Sequence, residues 1–309
     1  SLNIIQPDNS FKKYGIKDFK KLENEGSQVF IHAYEGLTVG SEIEMYYLIN
    51  SNVGLYGSLN LSSNYVNKIA SFGLISPEKL VFAAKGYNVT ASFTDNVKDG
   101  KRYLEITEKD LKNSKKELYS LEDATEPRIE YSFYYNKERQ NETMQTWNLY
   151  AGNIMKTLLN EKEASQKSFL KIIKAEKLQG LDEKSTIRNI ENYVKSTINI
   201  DKEAPTAPLV DVFKNKYANE LVVQKLFATL FELTNVKYEA VIGSSKLEKV
   251  FDESFVSWSF LDAIFFYFPE SNQYLSTTNP FVRVGYPENE FSDTKALFIE
   301  TLDLGGVKT

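Results

Sequence analysis

The sequence predicts an α+β protein: an N-terminal antiparallel β-sandwich, a helical linker, and a second domain of mixed helices and strands. Residues 27–145 show period-two alternation of apolar and polar side chains, which is typical of half-buried antiparallel strands. Residues 144–200 contain no Pro and carry apolar residues at three- and four-residue steps, which indicates helices. A largely apolar helix and nearly continuous apolar strands follow. We therefore expect two domains, 1–145 and 146–309.

The alternation in the first domain is clearest in residues 41–49, 87–93 and 129–135, where every second side chain is aliphatic or aromatic. Turn-forming residues separate these runs, and Asp99-Gly100 between two strand-like segments is the strongest hairpin signal. Several short strands within about 120 residues favour a sandwich or a barrel-like domain.

The linker predicts two helices. Leu170, Ile173 and Lys177 lie on one face of the first, which we expect to end at Gly180 as its C-terminal glycine. The second has Asp182 or Ser185 available as an N-cap. Its apolar stripe consists of Ile187, Ile190, Val194 and Ile198.

The remaining chain predicts a buried helix followed by strands. Residues 201–208 contain two Pro and predict a loop, and a largely buried helix is expected from about Ala218 to Leu233. Asn235 then stands where a left-handed cap belongs. Strands are expected at residues 238–242, 260–268, 274–275 and 296–299, of which 263–268 is apolar enough to be buried on both faces.

The composition excludes several kinds of chemistry. The 309 residues include no Cys, so there is no disulfide, thiol nucleophile or thiolate metal site. A Ser-His-Asp triad would need the single His, His32, and a zinc site of His and Cys is excluded. We expect no metal site and no cofactor.

Charge and hydropathy limit the kinds of binding partner that we expect. Lys and Arg total 37 and Asp and Glu total 42, and the net charge of −5 disfavours nucleic acid. No apolar stretch approaches the ~20 residues of a membrane-spanning helix, so we expect no transmembrane segment in this chain. The chain opens at Ser1 without Met and with no visible signal peptide, so we expect a processed product.

Three short motifs stand at key positions of the second domain: KYANEL at 216–221, LDAIFFY at 261–267 and YLSTT at 274–278. Their order resembles the transglutaminase-like superfamily, which has a papain-like fold. In that family a Cys begins the central helix, a His precedes an apolar strand, and an Asp lies on the next strand. The corresponding positions here are Ala218, Asp262 and Ser276. The resemblance therefore implies a domain that has lost its catalytic triad and is not an enzyme.

Motifs in the first half extend the resemblance. They are YEGLTVGSEIE at 34–44, LISPEKL at 74–80 and TWN at 146–148. They resemble the β-sandwich domain of unknown function that precedes the transglutaminase-like domain in exported proteins of Bacteroidetes. The resemblance implies a periplasmic or cell-surface location. Relatives continue into a further β domain, so we expect this chain to be a fragment of a longer protein.

Our leading hypothesis is a non-catalytic binding or scaffolding protein of the bacterial cell envelope, with an unknown protein or glycan as ligand. A carboxylate-based hydrolase of polysaccharide is one alternative, and it would need two carboxylates facing each other across a cleft. A purely structural module is the other, and its cleft would be filled by its own side chains. The candidate binding residues of a vestigial cleft are Tyr217, Ala218, Glu220, Trp258, Asp262 and Ser276.

Overall fold

The computed structural model describes residues 1–24, 27–34, 36–50, 52, 54–112, 121–139, 143–159, 163–301 and 307–309. The chain is α+β, with a strand-rich N-terminal region and antiparallel sheets, which confirms the predicted fold class. It divides into two compact units, Ser1–Gly54 and Leu55–Thr309. The domain boundary predicted after residue 145 falls inside the second unit and stays a prediction.

The first unit contains a three-stranded sheet in the order β2-β1-β5 and the hairpin β3–β4. Its strands are β1 (Leu2–Ile5), β2 (Phe11–Tyr14), β3 (Lys20–Asn24), β4 (Ser27–Ile31) and β5 (Glu42–Met45). The strand predicted over 41–49 is shorter than expected, because β5 ends at Met45, which pairs with Leu2 of β1. Ile43 and Met45, expected on a buried face, are exposed.

The second unit begins with two three-stranded antiparallel sheets, ordered β7-β10-β9 and β6-β11-β8. Their elements are β6 (Tyr56–Asn60), β7 (Asn67–Pro77), β8 (Leu80–Tyr87), β9 (Thr94–Lys98), β10 (Lys101–Leu111), α1 (Glu122–Thr125) and β11 (Arg128–Asn136). Ile106 of one sheet packs with Ile129 of the other, and Phe72 stacks on Tyr131 with 6.1 Å between ring centroids. These contacts form a small apolar core between the sheets.

The strand β11 is buried on both of its faces. Ile129 and Phe133 point one way, and Arg128, Glu130 and Ser132, which point the other way, are buried as well. The sequence pattern predicts burial of the apolar face. It does not predict burial of the other face, because polar side chains in a strand usually indicate exposure to solvent.

The hairpin predicted at Asp99-Gly100 is confirmed. Lys98 pairs with Lys101, and Asp99 and Gly100 have φ angles of 50° and 70°, as a type I′ turn requires.

The strand predicted over 87–93 is wrong, because β8 ends at Tyr87. The carboxylate of Glu108 accepts the backbone N–H groups of Thr90 and Ala91, so these groups bind a side chain instead of a strand.

In the described part of the chain, five helices follow the sandwich: α2 (Trp147–Leu159), α3 (Glu163–Ala175), α4 (Glu183–Thr197), α5 (Leu209–Asn215) and α6 (Glu220–Leu233). The cap predicted at Asp182 is confirmed, since its Oδ1 accepts the N–H of Ser185 at 2.7 Å. The end predicted at Gly180 is wrong. The left-handed residue is Lys177, because the buried Leu178 donates its N–H to Ile173 and closes the helix earlier.

The helices pack on a sheet ordered β16-β15-β14-β17-β18, and a short parallel pair, β12–β13, precedes α6. These strands are β12 (Asn199–Ile200), β13 (Tyr217–Ala218), β14 (Glu239–Gly243), β15 (Ala263–Phe268), β16 (Gln273–Ser276), β17 (Ala296–Thr301) and β18 (Val307–Lys308). The helix α6 begins two residues later than predicted, and the left-handed Asn235 (φ 55°) confirms its predicted cap. Phe231 packs edge-on against Phe266 and Phe268, so α6 and one face of the sheet form the main core.

Candidate functional site

Ala218 is placed where a helix dipole would act on it. It ends the short strand β13, pairs with Ile200 of β12 and is 4% exposed. The next residue, Asn219, caps α6, because its Oδ1 accepts the N–H of Val222 at 3.0 Å. A thiol at this point would have a lowered pKa because it would lie at a helix N-terminus. The methyl group of Ala218 has no such chemistry.

The strand register brings Asp262 and Ser276 to the same end of the sheet. Asp262 stands immediately before β15 and donates its N–H to Gly243 at 3.2 Å. Ser276 ends β16 and pairs with Phe265, near the beginning of β15. The fold therefore delivers both positions to one edge.

The side chains of these two residues have different partners. Asp262 is exposed beside Glu248, and desolvation together with the Glu248 carboxylate raises its pKa. Ser276 is buried and donates its hydroxyl to Glu288, which also accepts from Asn279 Nδ2 at 3.0 Å. In the part of the chain that the structure describes, no hydrogen bond or ion pair joins Asp262 to Ser276. The two positions therefore share an end of the sheet but not a polar contact.

An open cleft of about 420 Å³ lies beside the first turn of α6. Glu220 contributes to it from the helix, and Thr278 and Pro280 contribute from the segment after β16. The elements that carry Ala218 and Ser276 therefore border one cleft. The rest of its lining comes from Lys195, Ser196, Thr197, Ile198, Asn199, Ile200, Lys202 and Lys216.

The cleft carries more positive than negative side chains. Among the described lining residues there are three Lys and one carboxylate, that of Glu220, which pairs with Lys202 at 3.4 Å on the exposed rim. Lys195 is buried and donates to Glu191 at 3.1 Å. Burial lowers the pKa of Lys195, and the carboxylate of Glu191 opposes that shift.

The buried Glu191–Lys195 pair also fixes the segment that follows β16. Glu191 Oε1 accepts the N–H of Val284 at 2.9 Å, and Lys195 donates to the carbonyl of Val282. Sequence reasoning missed this pair. Its Glu–Lys spacing of four residues is a signal of a helical ion pair, but the spacing does not tell a buried pair from an exposed one.

Trp258 and Asp262 belong to a different cluster. The ring of Trp258 packs on Tyr150 and on Tyr56 of β6, with centroids 5.0 and 5.6 Å away. Tyr150 donates its hydroxyl to the carbonyl of Leu261 at 3.1 Å, next to Asp262. Burial raises the pKa of Tyr150 to about 12, and nearby Tyr56 and Asp262 add to the shift. Neither Trp258 nor Asp262 lines the cleft.

Of the six candidate residues, Glu220 lines the cleft itself. Ala218 and Ser276 are buried in the elements that form its walls, and Tyr217 is 45% exposed beside Lys216.

Among the residues that the structure describes, no group of three or more His, Asp or Glu could hold a metal ion. Over the same residues, no helix combines the length and apolar character needed to cross a membrane.

The second unit is thus an antiparallel sandwich joined to a buried helix that packs on a five-stranded sheet, with a basic cleft at the start of that helix. Comparisons with protein-family models and with curated proteins give no match. Among solved structures, the chain is similar to a putative protease from Parabacteroides distasonis, with a TM-score of 0.64 and 15% identity. The similarity covers 89% of this chain and 56% of that one, so the present chain spans about half of that protein's length. At this identity the likeness concerns the fold alone.

Proposed function

We propose that the C-terminal part of the chain is a transglutaminase-like domain without a catalytic triad, and that the protein binds an acidic glycan of the bacterial cell envelope in the cleft beside α6. The observation that carries this proposal is the shared cleft: Glu220 and Thr278 line it, two residues after Ala218 and Ser276 respectively. The fold likeness to a larger protein described as a putative protease is in keeping with such a domain.

A binding role fits the residues at the three family positions. A nucleophile is the first requirement of acyl transfer, and Ala218 offers a methyl group. Asp262 lies beside another carboxylate, Glu248, whose charge raises the pKa of Asp262 more than the nearby Lys249 lowers it. Ser276 is buried and bound to Glu288, so its hydroxyl faces a protein carboxylate. This arrangement supports a domain in which the thiol mechanism has been lost.

The lining of the cleft favours a hydroxylated, anionic ligand. Hydroxyl and amide groups come from Ser196, Thr197, Asn199 and Thr278. Lys195 and Lys202 are each paired with a carboxylate, so among the described lining residues the excess positive charge corresponds to Lys216. Aromatic side chains, which are enriched in protein–protein interfaces, are not among the described residues that line it. We therefore favour an acidic polysaccharide over a protein ligand.

The two alternatives receive less support from the cleft. A glycosidase needs a pair of carboxylates about 5–10 Å apart, and Glu220 is the one carboxylate among the described lining residues. A purely structural module would fill the cleft with its own side chains, whereas about 420 Å³ is open.

The proposal is tested by calorimetric titration with polygalacturonate, with neutral dextran as the matched uncharged polymer. We expect polygalacturonate to bind, dextran not to bind, and the affinity to fall as salt is added. Lys202→Glu reverses a charge in the cleft and should weaken binding about tenfold. Lys214→Glu reverses an exposed charge outside the lining and should change binding less than about twofold. Absence of polygalacturonate binding, or equal losses in the two variants, would contradict the proposal.

A further inference from the structure

A second cavity, of about 290 Å³, lies on the face of the five-stranded sheet that points away from α6. Val241 of β14 pairs with Phe265 of β15 and with Phe298 of β17, and all three line the cavity. The neighbouring residues Ala240 and Ile242 point the other way, into the core shared with α6. This cavity is therefore separate from the cleft.

The segment that covers the cavity, residues 285–294, is held in place by the sheet. Gly285 and Tyr274 exchange two backbone hydrogen bonds, of 2.7 and 2.9 Å. Farther along, Glu290 accepts from the hydroxyl of Ser245 at 2.7 Å, and its carbonyl accepts the N–H of Lys246 at 3.1 Å. The walls are thus fixed before any ligand enters, which lowers the cost of binding.

A glycine makes room for the aromatic wall. Phe291 packs against Phe265 with 4.8 Å between ring centroids, directly over Gly243. A Cβ at Gly243 would lie 3.2 Å from Phe291 and 3.3 Å from Phe265, closer than ordinary van der Waals contact. The missing side chain therefore lets the two rings approach the backbone of β14.

The lining combines aromatic rings with one negative charge. The rings belong to Phe265, Tyr274, Tyr286, Phe291 and Phe298. Among the described lining residues, Asp293 is the one that is charged at neutral pH, and it is exposed without a hydrogen bond or ion pair in the described part of the chain. The nearby ammonium of Lys246 is bound to the carbonyl of Ser292 at 3.2 Å.

We propose that this cavity binds a small organic cation that carries alkyl or aromatic groups, such as a quaternary ammonium. Aromatic faces attract a cation through their quadrupoles. A carboxylate at the rim adds charge complementarity, which a neutral apolar ligand of the same shape would not use. The volume is just below the range of about 300–1,000 Å³ that holds drug-sized ligands, so a small group fits best.

The test compares choline with its neutral isostere 3,3-dimethylbutan-1-ol, each titrated into the whole chain and followed by calorimetry or NMR. We expect choline to bind with a dissociation constant about threefold or more below that of the alcohol. Asp293→Asn should raise the constant for choline by a similar factor and leave the alcohol within about twofold. Asp99→Asn is the matched control, because Asp99 and Asp293 both have positive φ, at 50° and 56°, where Asn is tolerated.

A second variant keeps the test independent of Asp293. Tyr286 lies on the rim with its side chain 88% exposed, so Tyr286→Ala should fold normally and weaken choline binding about threefold. Equal binding of choline and the alcohol, or no binding of either, would overturn the proposal. Polygalacturonate binding should be unchanged in Asp293→Asn, so this inference and the proposed function can fail separately.

Discussion

The hydroxyl of Ser259 donates a 2.6 Å hydrogen bond to Oε2 of Glu130, a residue 129 positions earlier in the chain. The side chain of Glu130 is fully buried, and Arg128 Nε and Lys249 Nζ each lie 3.4 Å from its Oε1. One carboxylate on β11 thus faces two cations, of which one lies on its own strand and the other lies between β14 and β15. Within the second unit, this group joins the sandwich to the part of the chain that contains the cleft.

Glu130→Ala should destabilise the protein by about 3–5 kcal/mol, because it leaves the charge of Arg128 buried without its partner. The measurement is the free energy of unfolding in urea. Glu78→Ala removes an exposed ion pair with Lys137 and should change that free energy by less than about 1 kcal/mol. Similar losses in the two variants would show that the buried network adds little stability.

Asp252 should make folding sensitive to acid. Desolvation alone would raise the pKa of Asp252, but hydrogen bonds from Lys85, Ser254 and Tyr87 outweigh it and hold the pKa well below its usual range. A carboxyl with a lowered pKa in the folded state stabilises the protein above its unfolded value of 3.8, and that contribution is lost as the pH falls through the folded value.

The corresponding test is the unfolding free energy of Asp252→Asn against wild type between pH 6 and about pH 2. The wild type should be more stable by about 1–2 kcal/mol at pH 6, because part of the site is exposed to solvent. The difference should shrink as the pH falls below 3.8. A difference that does not depend on pH would contradict the linkage.

Tyr150 should make the protein sensitive to alkali. Burial raises its pKa from 10.0 to about 12, so its contribution is complete below pH 10 and is lost between pH 10 and about 12. The wild type should lose about 2 kcal/mol relative to Tyr150→Phe over that interval. Urea unfolding at matched pH values measures the loss, and parallel curves for the two proteins would refute it.

The thiol reactivity of an introduced cysteine tests the proposed loss of a catalytic site. Ala218→Cys should react with a maleimide about tenfold or more slowly than Tyr217→Cys, because burial (Ala218 is 4% and Tyr217 45% exposed) limits access more than the helix N-terminus raises the thiolate fraction. In urea the two should react equally.

Adding Asp262→His and Ser276→Asp to Ala218→Cys should leave the thiol no more reactive than that of Tyr217→Cys, because Asp262 and Ser276 have separate partners. A faster reaction would mean that the scaffold is still ready for catalysis.

The sequence predicted correctly those elements that are specified by residues close together in the chain. The stripe from Ile187 to Ile198 and the cap at Asp182 define α4 without reference to other segments. The same is true of the turn at Asp99-Gly100, where the residue types match the required φ angles. Predictions failed where a distant side chain intervened, as Glu108 does when it binds the backbone of Thr90 and Ala91.

The sequence predicted where the three family positions lie along the elements of the fold, but not which side chains contact them. The family order placed Ala218 at a helix N-terminus, and the strand register brings Asp262 and Ser276 to one end of the sheet. The partners of those side chains, Glu248 and Glu288, follow from tertiary packing, which no spacing in the sequence encodes. The cavity over Gly243 escaped sequence reasoning for the same reason.

The burial of both faces of β11 has a consequence for folding cooperativity. Ile129 belongs to the core of the sandwich, while Glu130, the next residue, is bound to Ser259 near the other end of the unit. Neither the sandwich nor the part that contains the five-stranded sheet can unfold without breaking contacts of β11. Residues 55–309 should therefore unfold in a single transition. A protease cut near residue 145 should therefore leave two pieces that stay associated, rather than release an independently stable C-terminal fragment.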